Sequence, residues 1–318
     1  MLGRFRGTMQ RLQWQARLRA WWDGYVFDPA GGRRRRLKMP APKHHFEPLE
    51  TPLDFSGPPT VEGWPPQRLA VVQALFGEGM IAPADPEALT KMTHPLGLAK
   101  EMTVVEVGAG LGGIARAIAA EADIYITGFE PDAELARVGN DISTKHGMGR
   151  KVRITHLPRG GLDVRPETVD AVIAKEALLT VEDKPTVFAA IRRALRPGGQ
   201  LMMSEYMLVG DEISSLVAQW SHATPVPLYP MSVKATRAEL EKLGFQVRIV
   251  EDITAEYDKG ARKAFADMAQ HIEAGGAAEH MAPWVLAEGE VWSRHLAALA
   301  SGEVKVYRIY ARIPRSAL

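Results

Sequence analysis

"VVEVGAGLGGIARAIAAE", residues 104–121, decides the fold. A β-branched run stops at a turn holding Gly108, Gly110, Gly112 and Gly113, and apolar residues then resume at helical spacing. A strand, a glycine-rich turn and a helix start together form a ligand-binding device. Glycine permits positive φ and close backbone approach, and the first N–H groups of a helix lack intrahelical acceptors.

The same alternation spreads outward from this unit. Runs at 103–107, 124–129, 151–157, 169–174 and 200–208 have strand character, with helical spacing at 112–121, 132–146 and 183–195 between them. A short helix at 236–244, a sixth strand at 245–251, a helical insert over about 255–302 and a seventh strand at 304–313 follow. This pattern predicts an α/β fold: a doubly wound, mostly parallel seven-stranded sheet with helices on both faces and an antiparallel last strand. Ahead of it, "PPQRLAVVQALF" shows helical spacing at Leu69, Val72, Leu75 and Phe76, so residues 67–318 form the main domain and 1–66 an arm.

Of the 318 residues, 46% are hydrophobic and 24% charged, which suits a globular chain with a sizeable core. Cysteine is absent, which excludes disulfides, thiolate nucleophiles and cysteine-ligated metal. His44 and His45 lack further spaced ligands, so no metal is expected. With neither a signal-like N-terminus nor an apolar run of membrane-spanning length, a cytoplasmic location is expected.

Charge is unevenly placed. Residues 1–40 hold ten Lys/Arg against Asp23 and Asp28, hence +8, whereas 41–318 hold 29 Lys/Arg against 36 acids, hence −7. Trp14, Leu18, Trp21, Trp22 and Tyr25 share one face of a helix expected over 8–26, followed by Arg33–Arg36, Lys38 and Pro-rich irregular chain. Such an arm is expected on an anionic membrane surface, at the inner face of the membrane, or packed on the acidic body of its own or a partner subunit. Nucleic acid ranks behind these, because no RNA- or DNA-binding module accompanies the basic cluster.

The glycines satisfy two patterns. Gly108-x-Gly110-x-x-Gly113 is the dinucleotide fingerprint, and Gly108-x-Gly110-x-Gly112 is the turn of enzymes using S-adenosylmethionine. Glu130, about 20 residues on at the end of the second strand, can accept both hydroxyls of an adenosine ribose in either case. Glu106 separates them, since a carboxylate beside the turn suits a cationic ammonium and opposes a pyrophosphate. Together with "ITGFEP", "VDAVIAKEALLTVED" and "LRPGGQLMMSE", the stretch "VVEVGAGLGG" resembles the class I, seven-stranded S-adenosylmethionine-dependent methyltransferases over roughly residues 70–318. "ALFGEGMIAPADPE", "EDITAEY" and "LASGEVKVYRIYARIP" are similar to the branch holding phosphoethanolamine, sarcosine/dimethylglycine and cyclopropane-fatty-acid type enzymes.

That resemblance implies a methyltransferase acting on a small-molecule or lipid-linked nucleophile, an amine favoured. The alternative is a catalytically silent relative that binds a membrane or partner through its arm. A nicotinamide oxidoreductase stands third, because no Tyr-x-x-x-Lys pair follows the fourth strand. Cofactor contacts are implied at Glu106, Gly108, Ala109, Gly110, Gly112, Glu130, Pro131 and Lys175. Catalytic candidates are Glu176 after the fourth strand and Glu205 and Tyr206 on the fifth, with Tyr25, His222 and Tyr229 as substrate lid. Two departures stand out. Pro158 occupies the place where the family has an adenine-binding acid, and Ala82-Pro83-Ala84-Asp85 replaces the branch's "SPGG".

Overall fold

The computed structural model describes residues 63–222, 224, 226–273 and 281–315, and two short strands of the arm as backbone, β1 (Tyr25–Phe27) and β2 (Arg34–Arg36). The main sheet begins with β3 (Thr103–Val107), followed by α3 (Gly113–Ala122), β4 (Tyr125–Glu130), α4 (Ala133–Lys145), β5 (Val152–His156) and β6 (Val169–Lys175). Preceding it are α1 (Pro66–Phe76) and α2 (Pro86–Thr93). After β6 come α5 (Lys184–Ala194), β7 (Leu195–Leu208), α6 (Ser215–Ser221), β8 (Met231–Ser232), α7 (Val233–Lys242) and β9 (Gln246–Asp252). The chain closes with α8 (Thr254–Glu273), α9 (Ala282–Ala300) and β10 (Val304–Arg312).

In space the strands run β5-β4-β3-β6-β7-β10-β9, parallel except for β10, which is antiparallel to both its neighbours. The order reverses between β3 and β6. Their following loops part there, and a crevice opens beyond the carboxyl ends of the strands.

Strands buried on both faces need apolar residues at every position, and period-two geometry sorts them to the two sides. Val104, Ile126, Ala171, Ile173 and Met202 pack beneath α2 and α3. Val105, Val107, Val172, Ala174 and Met203 pack on the opposite side with Val187, Phe188 and Ile191 of α5 and Leu240 of α7. A third cluster unites α1, α6, α8 and α9 at the carboxyl end of β7, around Tyr206, Trp220, Tyr257, Phe265 and Trp292. Among the described residues no helix is long and apolar enough to cross a membrane.

The structure corrects several expectations. Tyr25–Phe27 and Arg34–Arg36 pair antiparallel, so Tyr25 and Val26 do not belong to the helix expected over 8–26, and Arg34–Arg36 form a strand. Tyr, Val and Phe favour extended backbone. Trp14, Leu18, Trp21, Trp22, Arg33 and Lys38 lie outside the described residues. The insert is two helices, α8 and α9, and α2, α6 and the two-residue β8 were not anticipated. β8 extends the sheet beside Met207 and Leu208, giving eight strands. β7 starts five residues early, at Leu195, because "RPGG" bulges between the Val169–Leu195 and Ala171–Gln200 pairs.

Candidate active site

The turn after β3 has three glycines in the left-handed region, Gly108 at φ +68°, Gly110 at +54° and Gly112 at +73°. Sequence reasoning takes their bareness as space for a ligand, but the protein fills much of that space itself. A Cβ on Gly108 would lie 2.5 Å from the Ala177 Cβ, and one on Gly112 2.7 Å from the Ile154 Cδ1. Residues 79–81 pack against the turn, and Gly113 donates its N–H to the Gly79 carbonyl at 3.0 Å.

Four further amides of the turn are committed too. Gly108 and Ala109 both donate to the Phe129 carbonyl (2.8 and 3.1 Å), and Gly112 donates to Ala109 (2.7 Å). Gly110 donates to Glu130 Oε2 at 2.7 Å. A pyrophosphate needs unpaired amides at such a turn. The five amides named here are satisfied internally, which removes the anion cradle that a dinucleotide reading requires.

Beside the turn stand two buried carboxylates. Glu130, 5% exposed at the end of β4, is gripped by Gly110 through Oε2 and by the Asp132 amide through Oε1 at 2.9 Å. Burial raises its pKa above the usual carboxylate value, with those two amides pulling the other way. Glu106 is 2% exposed, and its Oε2 has no hydrogen-bond partner among the described residues. Burial, reinforced by the charge of Glu130, pushes the Glu106 pKa up to about 8. A cationic group delivered to that oxygen would satisfy it and favour its ionised form.

Beside Glu106 is a residue that sequence reasoning missed. Arg116 of α3 is buried, and its Nη1 donates to the Leu111 carbonyl (2.8 Å), the Gly139 carbonyl (3.2 Å) and Ser143 Oγ (3.1 Å). It ties the turn to α4. The only signal was a charge on the inward face of an amphipathic helix.

At the end of β6, Lys175 Nζ donates to Glu176 Oε1 at 2.5 Å, and Tyr257 Oη donates to Glu176 Oε2 at 2.7 Å. Glu176 holds φ at +52°, with its N–H bound to the Ser204 carbonyl at 2.7 Å. A non-glycine residue in that region is strained by its Cβ, and such strain concentrates at functional sites. Lys175, Glu176 and Tyr257 line a pocket of about 50 Å³ with Ser204, Arg308 and Pro83. Tyr257, on α8, was visible beforehand only as the last residue of "EDITAEY".

The other expected site residues separate. Tyr206 faces the same side as Ser204 but is buried, edge-to-face with Tyr257 at 5.5 Å between ring centroids. Glu205 departs from its expected catalytic place. It points to the opposite face, where Oε2 accepts from the Leu178 amide at 2.7 Å and Oε1 from the Tyr206 amide at 2.9 Å. Burial raises its pKa to about 7, and its carboxylate anchors the loop after β6. His222 is exposed at the end of α6, while Tyr229 binds the Leu179 carbonyl through its amide at 2.7 Å and accepts from Lys184 through its own carbonyl. Neither is among the residues lining the pocket. The side chain of Tyr25 lies outside the described residues.

Pro131, after Glu130, accepts from His156 Nε2 at 3.2 Å. Pro158 is exposed in the loop after β5 and accepts from the Gly161 amide at 2.7 Å. Asp85, the last residue of the altered "SPGG" position, caps α2 by accepting from the Ala88 amide at 3.0 Å. Among the described residues no cluster of three or more His, Asp or Glu is placed to hold a metal ion.

Comparison with known proteins agrees with this architecture. A family model described as a methyltransferase domain matches residues 105–203, from β3 to the middle of β7. A phosphoethanolamine N-methyltransferase of Triticum aestivum is 23% identical over 198 residues, 62% of this chain and 38% of that protein. The chain thus spans well under half the length of that curated relative. The solved structure of Haemonchus contortus phosphoethanolamine N-methyltransferase 2, with phosphomonomethylethanolamine and S-adenosylhomocysteine bound, superposes with a TM-score of 0.68 at 19% identity. That likeness covers 78% of this chain and 57% of that one. The cyclopropane synthase MmaA2 from Mycobacterium tuberculosis superposes with a TM-score of 0.61 at 15% identity, covering 78% of this chain and 94% of that one. The fold is the Rossmann-like fold of the class I methyltransferases, as the motifs implied.

Proposed function

We propose that this chain is an S-adenosylmethionine-dependent methyltransferase acting on a small-molecule acceptor, an amine favoured. The observation carrying this reading is the charge pattern at the turn. The named amides are spent on the protein, a buried carboxylate oxygen of Glu106 stands without a partner, and Glu130 caps the adjacent strand. Such a site rejects a pyrophosphate and accepts a ligand offering hydroxyls and an ammonium. The solved structures of Haemonchus contortus phosphoethanolamine N-methyltransferase 2, which hold S-adenosylhomocysteine or S-adenosyl-L-methionine, support the same cofactor.

When bound, the cofactor supplies a methyl carbon already activated by a sulfonium. Glu130 would hold its ribose hydroxyls and Glu106 its ammonium, the two buried acidic groups beside the turn. Glu176 is the acceptor-side residue: its carboxylate, fixed by Lys175 and Tyr257, orients an amine and takes up the proton that the nitrogen sheds on methylation. Residues of α2 and α8 line that pocket together with the ends of β6 and β7.

Incubation with methyl-labelled S-adenosylmethionine and a panel of ethanolamine, phosphoethanolamine, glycine derivatives and sterols tests the reading. Acceptor-dependent release of S-adenosylhomocysteine, lost in Glu176→Gln, is expected. Binding of S-adenosylhomocysteine without turnover on any acceptor would remove the enzymatic part. For residues 1–40, their +8 against the −7 of the body supports docking on an anionic membrane surface in a cytoplasmic setting.

A further inference from the structure

Three residues stand in one line across three adjacent strands. Lys175 of β6 is registered with Ser204 of β7, and Ser204 with Arg308 of β10. Registered residues project to the same face of a sheet, and all three line the pocket beside Glu176. Their polar ends are hydrogen-bond donors: an ammonium, a hydroxyl and a guanidinium.

Two of those donors are unused. Ser204 is 2% exposed and its Oγ has no partner among the described residues. The Arg308 side chain is 14% exposed, and its Nε is likewise buried without a partner. Arg308 spends its Nη2 on Glu251 of the edge strand β9, which fixes the guanidinium without using Nε. Buried donors are rarely left unpaired, and two on neighbouring strands in one pocket call for a common acceptor.

The acidic groups around the pocket do not fill that role. Glu176 is held by Lys175 and Tyr257, Asp85 caps α2, and Glu256 sits at the rim within 3.4 Å of Lys91. Three basic residues (Lys91, Lys175, Arg308) balance three acidic ones (Asp85, Glu176, Glu256) along the lining. A ligand neutral overall, with separated charges, therefore matches the pocket better than a bare cation does.

We propose that Ser204 and Arg308, flanked by Lys175, form an anion subsite that receives an acidic group of the methyl acceptor, a phosphate or a carboxylate, while Glu176 faces its amine. This rests on the methyltransferase reading for the identity of the ligand. The subsite itself rests only on the row of donors. The carboxylate of the cofactor offers the same chemistry, so the test separates the two sources.

Inorganic phosphate is titrated into the full chain and followed by phosphorus NMR line broadening, and S-adenosylhomocysteine is titrated separately by calorimetry. Wild type should bind phosphate saturably at millimolar concentration. Arg308→Gln and Ser204→Ala should each weaken it by about tenfold, the scale of one charge-assisted hydrogen bond, with affinity for S-adenosylhomocysteine unchanged. Ser204→Ala deletes one oxygen from a packed position and keeps the test open should Arg308→Gln fail to fold. Phosphate binding that is absent, or equal in all three proteins, overturns the subsite. Loss of S-adenosylhomocysteine affinity in both variants overturns it differently, by giving the row to the cofactor. Failure of S-adenosylhomocysteine to bind any of the proteins, with phosphate still responding to the row, would sink the methyltransferase reading and leave the subsite standing.

Discussion

Glu130→Gln separates a structural role from a binding one at the tip of β4. The carboxylate accepts from Gly110 at 2.7 Å and from Asp132 at 2.9 Å, one amide on each oxygen. A glutamine of the same shape presents one oxygen and one NH2, so one buried N–H is left facing a donor. That costs about 1–3 kcal/mol, and at roughly 2–4 °C per kcal/mol the melting temperature should fall by about 2–12 °C. The ribose contact loses a charge-assisted hydrogen bond as well, worth about 1.5–3 kcal/mol, which lowers affinity for S-adenosylhomocysteine by about 10- to 150-fold. Asp132→Ala is the matched control. It removes the cap of α4, an acceptor for the Glu134 and Leu135 amides, at about 0.5–2 kcal/mol in stability, and should leave affinity unchanged. Scanning calorimetry and isothermal titration on both variants, well below either melting point, measure the two effects. If Glu130→Gln loses stability yet binds within about twofold of wild type, the residue only braces the turn.

Gly108→Ala should destabilise the fold by about 2–4 kcal/mol, combining left-handed strain with overpacking on Ala177, as read by chemical denaturation; a loss under about 1 kcal/mol would mean that the turn yields. Glu106 binds its proton in the folded state up to a pKa of about 8 against an ordinary 4.5, so folding stability drops as pH rises across that window. The melting temperature of Glu106→Gln relative to wild type should therefore rise between pH 5 and pH 8, and a constant difference refutes the assignment. Tyr257→Phe removes the 2.7 Å donor to Glu176 and should lower turnover about 10- to 100-fold with cofactor affinity intact; an equal loss of cofactor affinity would place Tyr257 elsewhere in the site. Deleting residues 1–40 should abolish sedimentation with anionic liposomes, and unchanged sedimentation would return the arm to protein packing.

The sheet was legible because buried strands and amphipathic helices impose different periods, and the long elements from β3 to β7 keep theirs. β8 is too short to carry any period, and α6 sits in a segment without one. Glu106, Glu130, Lys175 and Glu176 could be placed because each ends or adjoins a strand whose carboxyl end is fixed by the turn that follows. Ser204, Arg308 and Tyr257 escaped notice because their meeting depends on the register of β10 against β7 and on how α8 returns over the sheet. The period-two rule was nonetheless available to split Glu205 from Tyr206, since adjacent residues of one strand face opposite sides. The turn glycines also serve a purpose that the sequence did not reveal: at Gly108, Gly112 and Gly113 they permit close approaches to Ala177, Ile154 and residue 79 of the same chain.

Isothermal titration of S-adenosylmethionine into the full chain at neutral pH bears most directly on the claim that the turn and Glu130 hold an adenosyl group. One-to-one binding tighter than about 100 μM, or about −5.5 kcal/mol, with no competition from NAD, is the expected result. No heat at millimolar cofactor, or displacement by NAD, would contradict it.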